Sequence, residues 1–142
     1  MNKIESFRGE YGFLSNFYSS PIKYNGKDYA TVEHAYQACK SANEEEHEMV
    51  RLLNTAGEAK AAGKKVKIRE DWDEVKIAIM TDLIYCKFTQ NKDLCEKLSK
   101  TGDMDIIEGN TWGDYFWGVC HGMGDNHLGK IIMEFRSKNL HY

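Results

Sequence analysis

Apolar residues recur along the middle of the chain with the spacing of amphipathic helices. From residue 32 the apolar positions follow i, i+3, i+4 and i+7, and they are Val32, Ala35, Tyr36 and Cys39. This pattern predicts a helix with one buried stripe, capped at its start by Thr31. Glu33, Gln37 and Lys40 then lie together on a different face.

An acceptor side chain followed three residues later by Glu marks three further helix starts. The pairs are Asn43 with Glu46, Thr55 with Glu58, and Asp71 with Glu74. In each pair the cap and the returning carboxylate are expected to satisfy unpaired N–H groups. The helix after Asp71 is predicted to be central and largely buried because its apolar stripe is wide. The stripe consists of Trp72, Val75, Ile77, Ile79, Met80, Leu83, Ile84, Cys86 and Phe88.

Two shorter signals complete the helical pattern. Asn91 is predicted to cap a short helix that closes near Gly102. A final helix is predicted to start near Asn126 and to bury its apolar positions. Those positions are Leu128, Ile131, Ile132 and Phe135.

The remaining parts of the chain are rich in turns and aromatic residues. Asn25-Gly26, within residues 22–29, predicts a two-residue β-hairpin. Residues 101–129 are rich in glycine and indicate a shaped loop region. We therefore predict an α+β fold: a single helix-rich domain over residues 1–142, with a short N-terminal hairpin and a small sheet.

Composition narrows the range of functions. A chain of 142 residues can bury a core as one domain without disulfides or metals. The net charge of -3 argues against a protein held on nucleic acid by bulk electrostatics, although local sites for small anions remain possible. The chain has no signal-like N-terminus and no long apolar run, so a cytoplasmic protein without a membrane span is expected. The four cysteines form no C-x-x-C pair and are expected to be reduced thiols, mostly in the core.

Glu33 is the first candidate for chemistry. It occupies the first turn of the predicted helix, where the helix dipole and unpaired N–H groups favour a charged carboxylate. Backed by the Gln37 amide and the Lys40 ammonium, this carboxylate is suited to stabilising a cation or activating water. The alternative interpretation is that Glu33 has no chemical role and is only a Glu in the first turn of a helix, where this residue is common.

Asp114 is the second candidate, because it is one carboxylate among large aromatic residues. Trp112 and Trp117 flank it in the sequence. Aromatic faces beside a loop carboxylate suit a heterocycle-binding site, since rings stack on rings and the carboxylate accepts from ribose hydroxyls. The alternative is that these aromatic residues belong to the core.

The chain has no complete motif for binding a metal ion or a triphosphate. The five histidines, His34, His47, His121, His127 and His141, do not combine with carboxylates or thiols at metal-ligand spacing. Residues 124–130 match G-x-x-x-x-G-K, but Ile131 stands where a magnesium-binding hydroxyl is needed. Two interpretations remain for this segment. A glycine-rich turn running into a helix with Lys130 in its first turn could hold a phosphate, or the glycines only shape a tight turn.

An ordered series of segments carries a resemblance that spans nearly the whole chain. The segments are Phe7–Phe17, Thr31–Ala38, Asp71-Trp72, Lys87-Phe88, Trp112–Asp114, Trp117-Gly118 and Asn126–Gly129. In these the chain resembles the NADAR family of YbiA-like N-glycosidases. The resemblance implies a small helix-rich α/β domain that hydrolyses the bond between ribose C1′ and an exocyclic amino nitrogen. Some members act on early riboflavin intermediates with a phosphoribosylamino group, and others remove ADP-ribose from guanine amino groups.

The resemblance also implies site residues. It assigns catalysis to Glu33, Trp72 and Asp114, without a metal or cofactor. Glu33 would stabilise charge near C1′ or activate water, Asp114 would orient ribose or assist proton transfer, and Trp72 would stack on the base or sugar. Further candidates for contacts to the substrate are Arg8, Asn16, Gln37, Lys40, Lys60, Trp112, Trp117, Asn126 and Lys130. Lys64-Lys65 stands where many members have Gly-Arg, so a phosphate role for an arginine there does not transfer.

Several alternatives stay open. Lys40 or Lys60 could attack an opened sugar as a Schiff base. The substrate is nucleotide-like, either a small ribose 5-phosphate adduct or ADP-ribosylated nucleic acid. A non-catalytic ADP-ribose-binding module and an antitoxin acting by protein contact are the rival functions. The oligomeric state and the stereochemical course are not predicted.

Overall fold

Helices are the main regular structure in the computed structural model, which describes residues 2–140. The elements are β1 (Lys3–Ile4), a 3₁₀ helix (Gly9–Leu14), β2 (Ile22–Tyr24), β3 (Lys27–Tyr29), α1 (Val32–Lys40), α2 (Glu44–Arg51), α3 (Ala56–Gly63), α4 (Trp72–Gln90), α5 (Lys92–Ser99), β4 (Asp105–Ile106), β5 (Gly109–Asn110), β6 (Val119–Cys120) and α6 (His127–Asn139). Among these residues the strands pair into three two-stranded sheets. The predicted α+β class is confirmed, with three small sheets in place of one.

The chain divides into two units. The middle unit is Asn16–Asn91, and the terminal unit combines the chain up to Ser15 with the chain from Lys92 onward. The prediction of a single domain over residues 1–142 stays a prediction. Along the described residues no helix has the length and apolar character needed to cross a membrane.

The middle unit begins with the predicted hairpin. Asn25 and Gly26 have φ angles of 50° and 81°, which is the left-handed conformation that a tight two-residue turn requires. Strands β2 and β3 pair antiparallel in the register that places Tyr24 opposite Lys27. The hairpin is confirmed because its signal is local.

Helix α1 is buried on more sides than its apolar stripe predicts. Thr31 caps it as expected, its side chain accepting a hydrogen bond from the N–H of His34. Helices α2, α3 and α4 all pack against α1. Glu33 and Gln37 lie together as predicted, joined by a hydrogen bond, but they are only 7% and 8% exposed because their face of the helix is also buried.

The other predicted helix starts differ in outcome. Thr55 and Glu58 form a complete capping box, and Asn43 caps α2 through the N–H of Glu46. Asp71 makes no side-chain cap. Its carboxylate instead accepts two hydrogen bonds, of 2.6 and 3.0 Å, from the Arg69 guanidinium. A charged planar donor two residues away competes effectively for the carboxylate.

Helix α4 buries a narrower stripe than predicted. Its buried positions are Trp72, Met80, Leu83, Ile84, Lys87 and Phe88. Ile77 is 40% exposed, and Val75, Ile79 and Cys86 are only half-buried. Other elements therefore cover only part of the surface of this helix.

In the terminal unit, β1 pairs parallel with β4, and β5 pairs parallel with β6. Helix α6 follows Asn126 and buries the predicted apolar positions, Leu128, Ile131, Ile132 and Phe135. The four cysteines are unpaired thiols. Only Cys120 is fully buried, so the expectation of mostly core thiols is wrong for Cys39, Cys86 and Cys95, which are half-buried.

Candidate active site

The carboxylate of Glu33 is held at the start of α1. Its backbone N–H donates to the Asn16 carbonyl at 3.1 Å. Its Oε2 accepts a 2.7 Å hydrogen bond from Gln37 Nε2, one turn further along the helix. This hydrogen bond holds the carboxylate in one position near the start of the helix. A buried, oriented carboxylate of this kind can stabilise developing positive charge.

His34 follows Glu33 in the sequence, and its ring stabilises the start of α1 through two polar contacts. Its Nδ1 lies 2.8 Å from Thr31 Oγ1, and its Nε2 lies 2.9 Å from the Leu53 carbonyl oxygen. Because a carbonyl only accepts, Nε2 carries a hydrogen and donates it to Leu53. Both ring nitrogens are therefore engaged in contacts to Thr31 and Leu53.

Two lysines of the middle unit were predicted to contact substrate. Partial burial lowers the pKa of the Lys40 ammonium, with Lys76 and Lys64 adding to this and Glu33 opposing it. Lys60 places its Nζ 5.8 Å from the centroid of the Phe17 ring, within cation–π range. The structure thus couples Lys40 electrostatically to Glu33, and Lys60 to an aromatic ring that is 45% exposed.

Trp72 and Asn16 lie in the same unit. Trp72 is 6% exposed, and its ring is 5.0 Å from that of Tyr36 on α1. Asn16 donates weakly to Met80 Sδ at 3.6 Å, while its Oδ1 is buried and accepts no hydrogen bond from the described residues. Three of the predicted site residues, Glu33, Gln37 and Lys40, belong to α1 itself. Asn16 contacts α1 through its carbonyl, and Trp72 contacts it through the ring of Tyr36.

Asp114 lies in the terminal unit and shapes its own loop. Its Oδ1 accepts hydrogen bonds from the N–H groups of Phe116 at 3.2 Å and Trp117 at 2.9 Å. Asn110 clamps the same residue, since its side chain accepts from the Asp114 N–H and donates to the Asp114 carbonyl. The carboxylate is half-buried. This arrangement fixes where the carboxylate lies, and its chemical role stays a prediction.

The start of α6 is not an open phosphate site. The backbone N–H groups of residues 125–128 donate to the four carbonyls of residues 115–118. Asn126 is buried, and its side chain binds the Glu108 N–H and the Ile106 carbonyl. Lys130 is exposed on the helix surface. Because these four donors are already used, they are not open to a phosphate and the glycine-rich segment shapes a turn, while a phosphate contact from Lys130 stays a prediction.

The predicted aromatic residues of this unit have different surroundings. Trp117 and His127 both pack against Phe116, with ring centroids 4.8 and 4.4 Å from it. Trp112 is 55% exposed. Trp117 therefore belongs to a packed cluster, whereas Trp112 is largely exposed.

Arg8 borders a cavity of about 470 Å³ in the terminal unit. The cavity is also lined by Asn110, the residue that clamps Asp114, and by His121. Its volume lies within the range of small-molecule sites, about 300–1,000 Å³. A ligand in this cavity would contact Asn110, and Asn110 is hydrogen-bonded to the backbone of Asp114.

Sequence reasoning did not single out Lys87 as a chemical group. Its side chain is completely buried in α4, and burial lowers its pKa to about 7. The signal was present, because residues 80, 83, 84, 87 and 88 follow the helical spacing of a buried face. Within residues 2–140 no three side chains of His, Cys, Asp or Glu group closely enough to hold a metal ion; His141 lies outside the described residues.

Comparison with known proteins places these features in a family context. The model of the NADAR domain matches residues 5–139. The N-glycosidase YbiA of Escherichia coli K12 is 35% identical over 132 residues, which cover 91% of this chain and 82% of that protein. An N-glycosidase of Nostoc punctiforme is 39% identical over 134 residues, covering 90% of this chain and 85% of that protein.

Two further matches extend the comparison. A riboflavin biosynthesis protein of Vibrio vulnificus is 34% identical over 131 residues, covering 90% of this chain but only 35% of that protein. The NMR structure of E. coli YbiA superposes with a TM-score of 0.86 at 31% identity, covering 100% of this chain and 91% of that one.

Proposed function

Because the chain belongs to the NADAR family and its curated relatives include N-glycosidases, we propose that it is an N-glycosidase that cleaves the bond between ribose C1′ and an exocyclic amino nitrogen of a base. The C1′–N bond breaks with its electron pair on nitrogen. The oxygen of water bonds to C1′. The released base carries away one proton of that water, so the products are a free amine and a ribosyl hydroxyl.

The observation that carries this proposal is the buried, hydrogen-bonded carboxylate of Glu33. Breaking the C1′–N bond builds positive charge on the ribose ring. A fixed negative charge at that point stabilises the transition state more than the ground state, and it does so without solvent reorganisation. The proposal takes this charge to be the carboxylate of Glu33, held at the start of α1 by the 2.7 Å bond from Gln37. We assign Glu33 to charge stabilisation or to activation of the attacking water.

Asp114 and Trp72 have supporting roles in the proposal. Asp114 has one oxygen bound by two backbone N–H groups, which would hold the carboxylate still while it orients ribose or assists proton transfer. Trp72 would stack on the base or sugar. Arg8, beside the cavity, and Lys40 and Lys60, in the middle unit, are proposed to contact phosphate or hydroxyl groups.

Two substrate classes fit this chemistry. One is the ADP-ribosyl adduct of guanine, free or within nucleic acid. The other is the phosphoribosylaminopyrimidine type of early riboflavin intermediate. The riboflavin biosynthesis relative supports the second class.

The test is a substrate panel read by mass spectrometry. The purified protein is incubated with ADP-ribosylated guanosine and, separately, with the phosphoribosylaminopyrimidine. Release of ADP-ribose or ribose 5-phosphate, abolished in Glu33→Gln, supports the proposal. Tight ADP-ribose binding without release from either substrate indicates a binding module instead. If a protein partner still binds after both Glu33 and Asp114 are replaced, an antitoxin that acts by protein contact is indicated.

A further inference from the structure

The side-chain amide of Gln37 is enclosed between Glu33 and Gly63. Its Nε2 donates to Glu33 Oε2 at 2.7 Å, and the residue is only 8% exposed. Its Oε1 is buried and accepts no hydrogen bond from residues 2–140. A Cβ built on Gly63 would lie 1.8 Å from that Oε1 and 2.5 Å from Cδ. The last residue of α3 therefore approaches the amide more closely than any residue with a side chain could.

The two ends of the amide face different chemical groups. The nitrogen faces a carboxylate, which only accepts hydrogen bonds when ionised. The oxygen faces the hydrogen that Gly63 carries where other residues have Cβ, and Cα–H groups are weak donors to carbonyl oxygens. Turning the amide over would place its oxygen against Glu33 Oε2, two acceptors in contact. Both contacts thus favour the orientation in which Gln37 donates to Glu33.

We propose that Gln37 is a positioning residue for Glu33, and that Gly63 is glycine because only glycine lets this amide reach the carboxylate. The inference rests on the proposed function, in which Glu33 acts at C1′. Gln37 then works through Glu33 and does not contact the substrate, which replaces its earlier assignment to substrate binding.

The chain offers a matched pair of substitutions within α3. Gly63→Ala inserts a methyl group into the Gln37 amide, whereas Gly57→Ala meets nothing closer than Thr55 Oγ1 at 3.9 Å. Alanine raises helix propensity at either position. We expect Gly57→Ala to have wild-type kcat and KM. Gly63→Ala should lose at least about tenfold in kcat, because small displacements of a catalytic group are costly, while KM stays within about twofold.

A second variant keeps the test independent of how well Gly63→Ala folds. Gln37→Met preserves side-chain length and removes the donor. It should melt somewhat below the wild type, because the buried Glu33 Oε2 loses this donor, and when assayed where it is folded it should show the same loss in kcat with KM unchanged. In the background of Glu33→Gln, measured by single turnover, Gln37→Met and Gly63→Ala should cause no further loss, because groups that act as a unit are not additive.

The possible outcomes distinguish a failure of this inference from a failure of the proposed function on which it rests. If Glu33→Gln keeps wild-type turnover, the role of Glu33 fails and the positioning role fails with it. If Glu33→Gln is inactive while folded Gln37→Met is fully active, only the positioning role is wrong. A rise in KM alone for Gln37→Met shows a substrate contact and overturns the inference. An equal further loss in the Glu33→Gln background also overturns it, since the two residues then act separately.

Discussion

The ring of Trp72 packs on that of Tyr36, with centroids 5.0 Å apart and planes inclined by 52°. This contact joins the first residue of α4 to the middle of α1, the helix that carries Glu33. Tilted aromatic pairs contribute about 0.5–1.5 kcal/mol beyond their buried area. Trp72 is thus a packing residue, whatever it also does for a ligand.

Substitution of Trp72 separates packing from recognition. Trp72→Ala should leave a cavity and lower the free energy of unfolding by about 3–5 kcal/mol. Trp72→Phe should melt near the wild type while losing part of the affinity for ADP-ribose or ribose 5-phosphate, because a smaller ring stacks less well. Thermal melts and calorimetric titration measure the two effects. If Trp72→Phe binds and turns over normally, Trp72 is core alone.

Replacing Glu33 by Gln tests the charge of the proposed catalytic group. The amide is isosteric and its oxygen can still accept from Gln37, so the fold should be kept. Turnover should fall by at least about a hundredfold, since a neutral group stabilises the oxocarbenium-like state poorly. Circular dichroism provides the control for folding. Normal kcat in the folded variant would remove Glu33 from the mechanism.

Asp114 has a structural and a proposed chemical role that respond to different substitutions. Asp114→Asn retains an oxygen that can accept from the Phe116 and Trp117 N–H groups, so it should melt near the wild type with reduced turnover. Asp114→Ala removes that acceptor and should also be less stable, by about 1–3 kcal/mol for the two unsatisfied donors. A loss confined to KM in Asp114→Asn would show that Asp114 positions ligand and takes no part in chemistry.

The buried amine of Lys87 should make the free energy of unfolding depend on pH. Its pKa is lowered from 10.5 to about 7 by burial, so between these values the unfolded chain binds more protons and stability rises with pH. The stability of Lys87→Met relative to that of the wild type should therefore rise as the pH falls from 10 to 7, by at most on the order of 5 kcal/mol.

Denaturant unfolding of both proteins across this range gives the comparison. Burial raises the pKa of the Cys39 thiol to about 11, and this effect is common to both curves and cancels in their difference. A constant difference between pH 6 and 10 would show that the Lys87 amine does not titrate as described.

Metal removal should leave the reaction intact. Within residues 2–140 the side chains of His, Cys, Asp and Glu form no cluster suited to a metal ion, and the proposed mechanism uses a carboxylate and water. Dialysis against EDTA followed by assay of the substrate panel should give unchanged turnover. Loss of turnover that zinc or magnesium restores would contradict the proposed mechanism.

The sequence alone determined the features that depend on residues close to each other along the chain. The Asn25-Gly26 hairpin, the Thr31 and Thr55 caps and the apolar face of α6 all arise from backbone conformations and side-chain bonds within a few residues. The resemblance added the family, and the family match confirmed it.

Only the tertiary structure decided which polar groups are buried and which donors are free. Packing of three helices around α1 buried Glu33 and Gln37, and the close approach of Gly63 oriented the amide. Carbonyls of residues 115–118 occupied the N–H groups at the start of α6. Periodicity along one element cannot reveal these outcomes, because burial and hydrogen-bond competition depend on groups that other segments bring into contact.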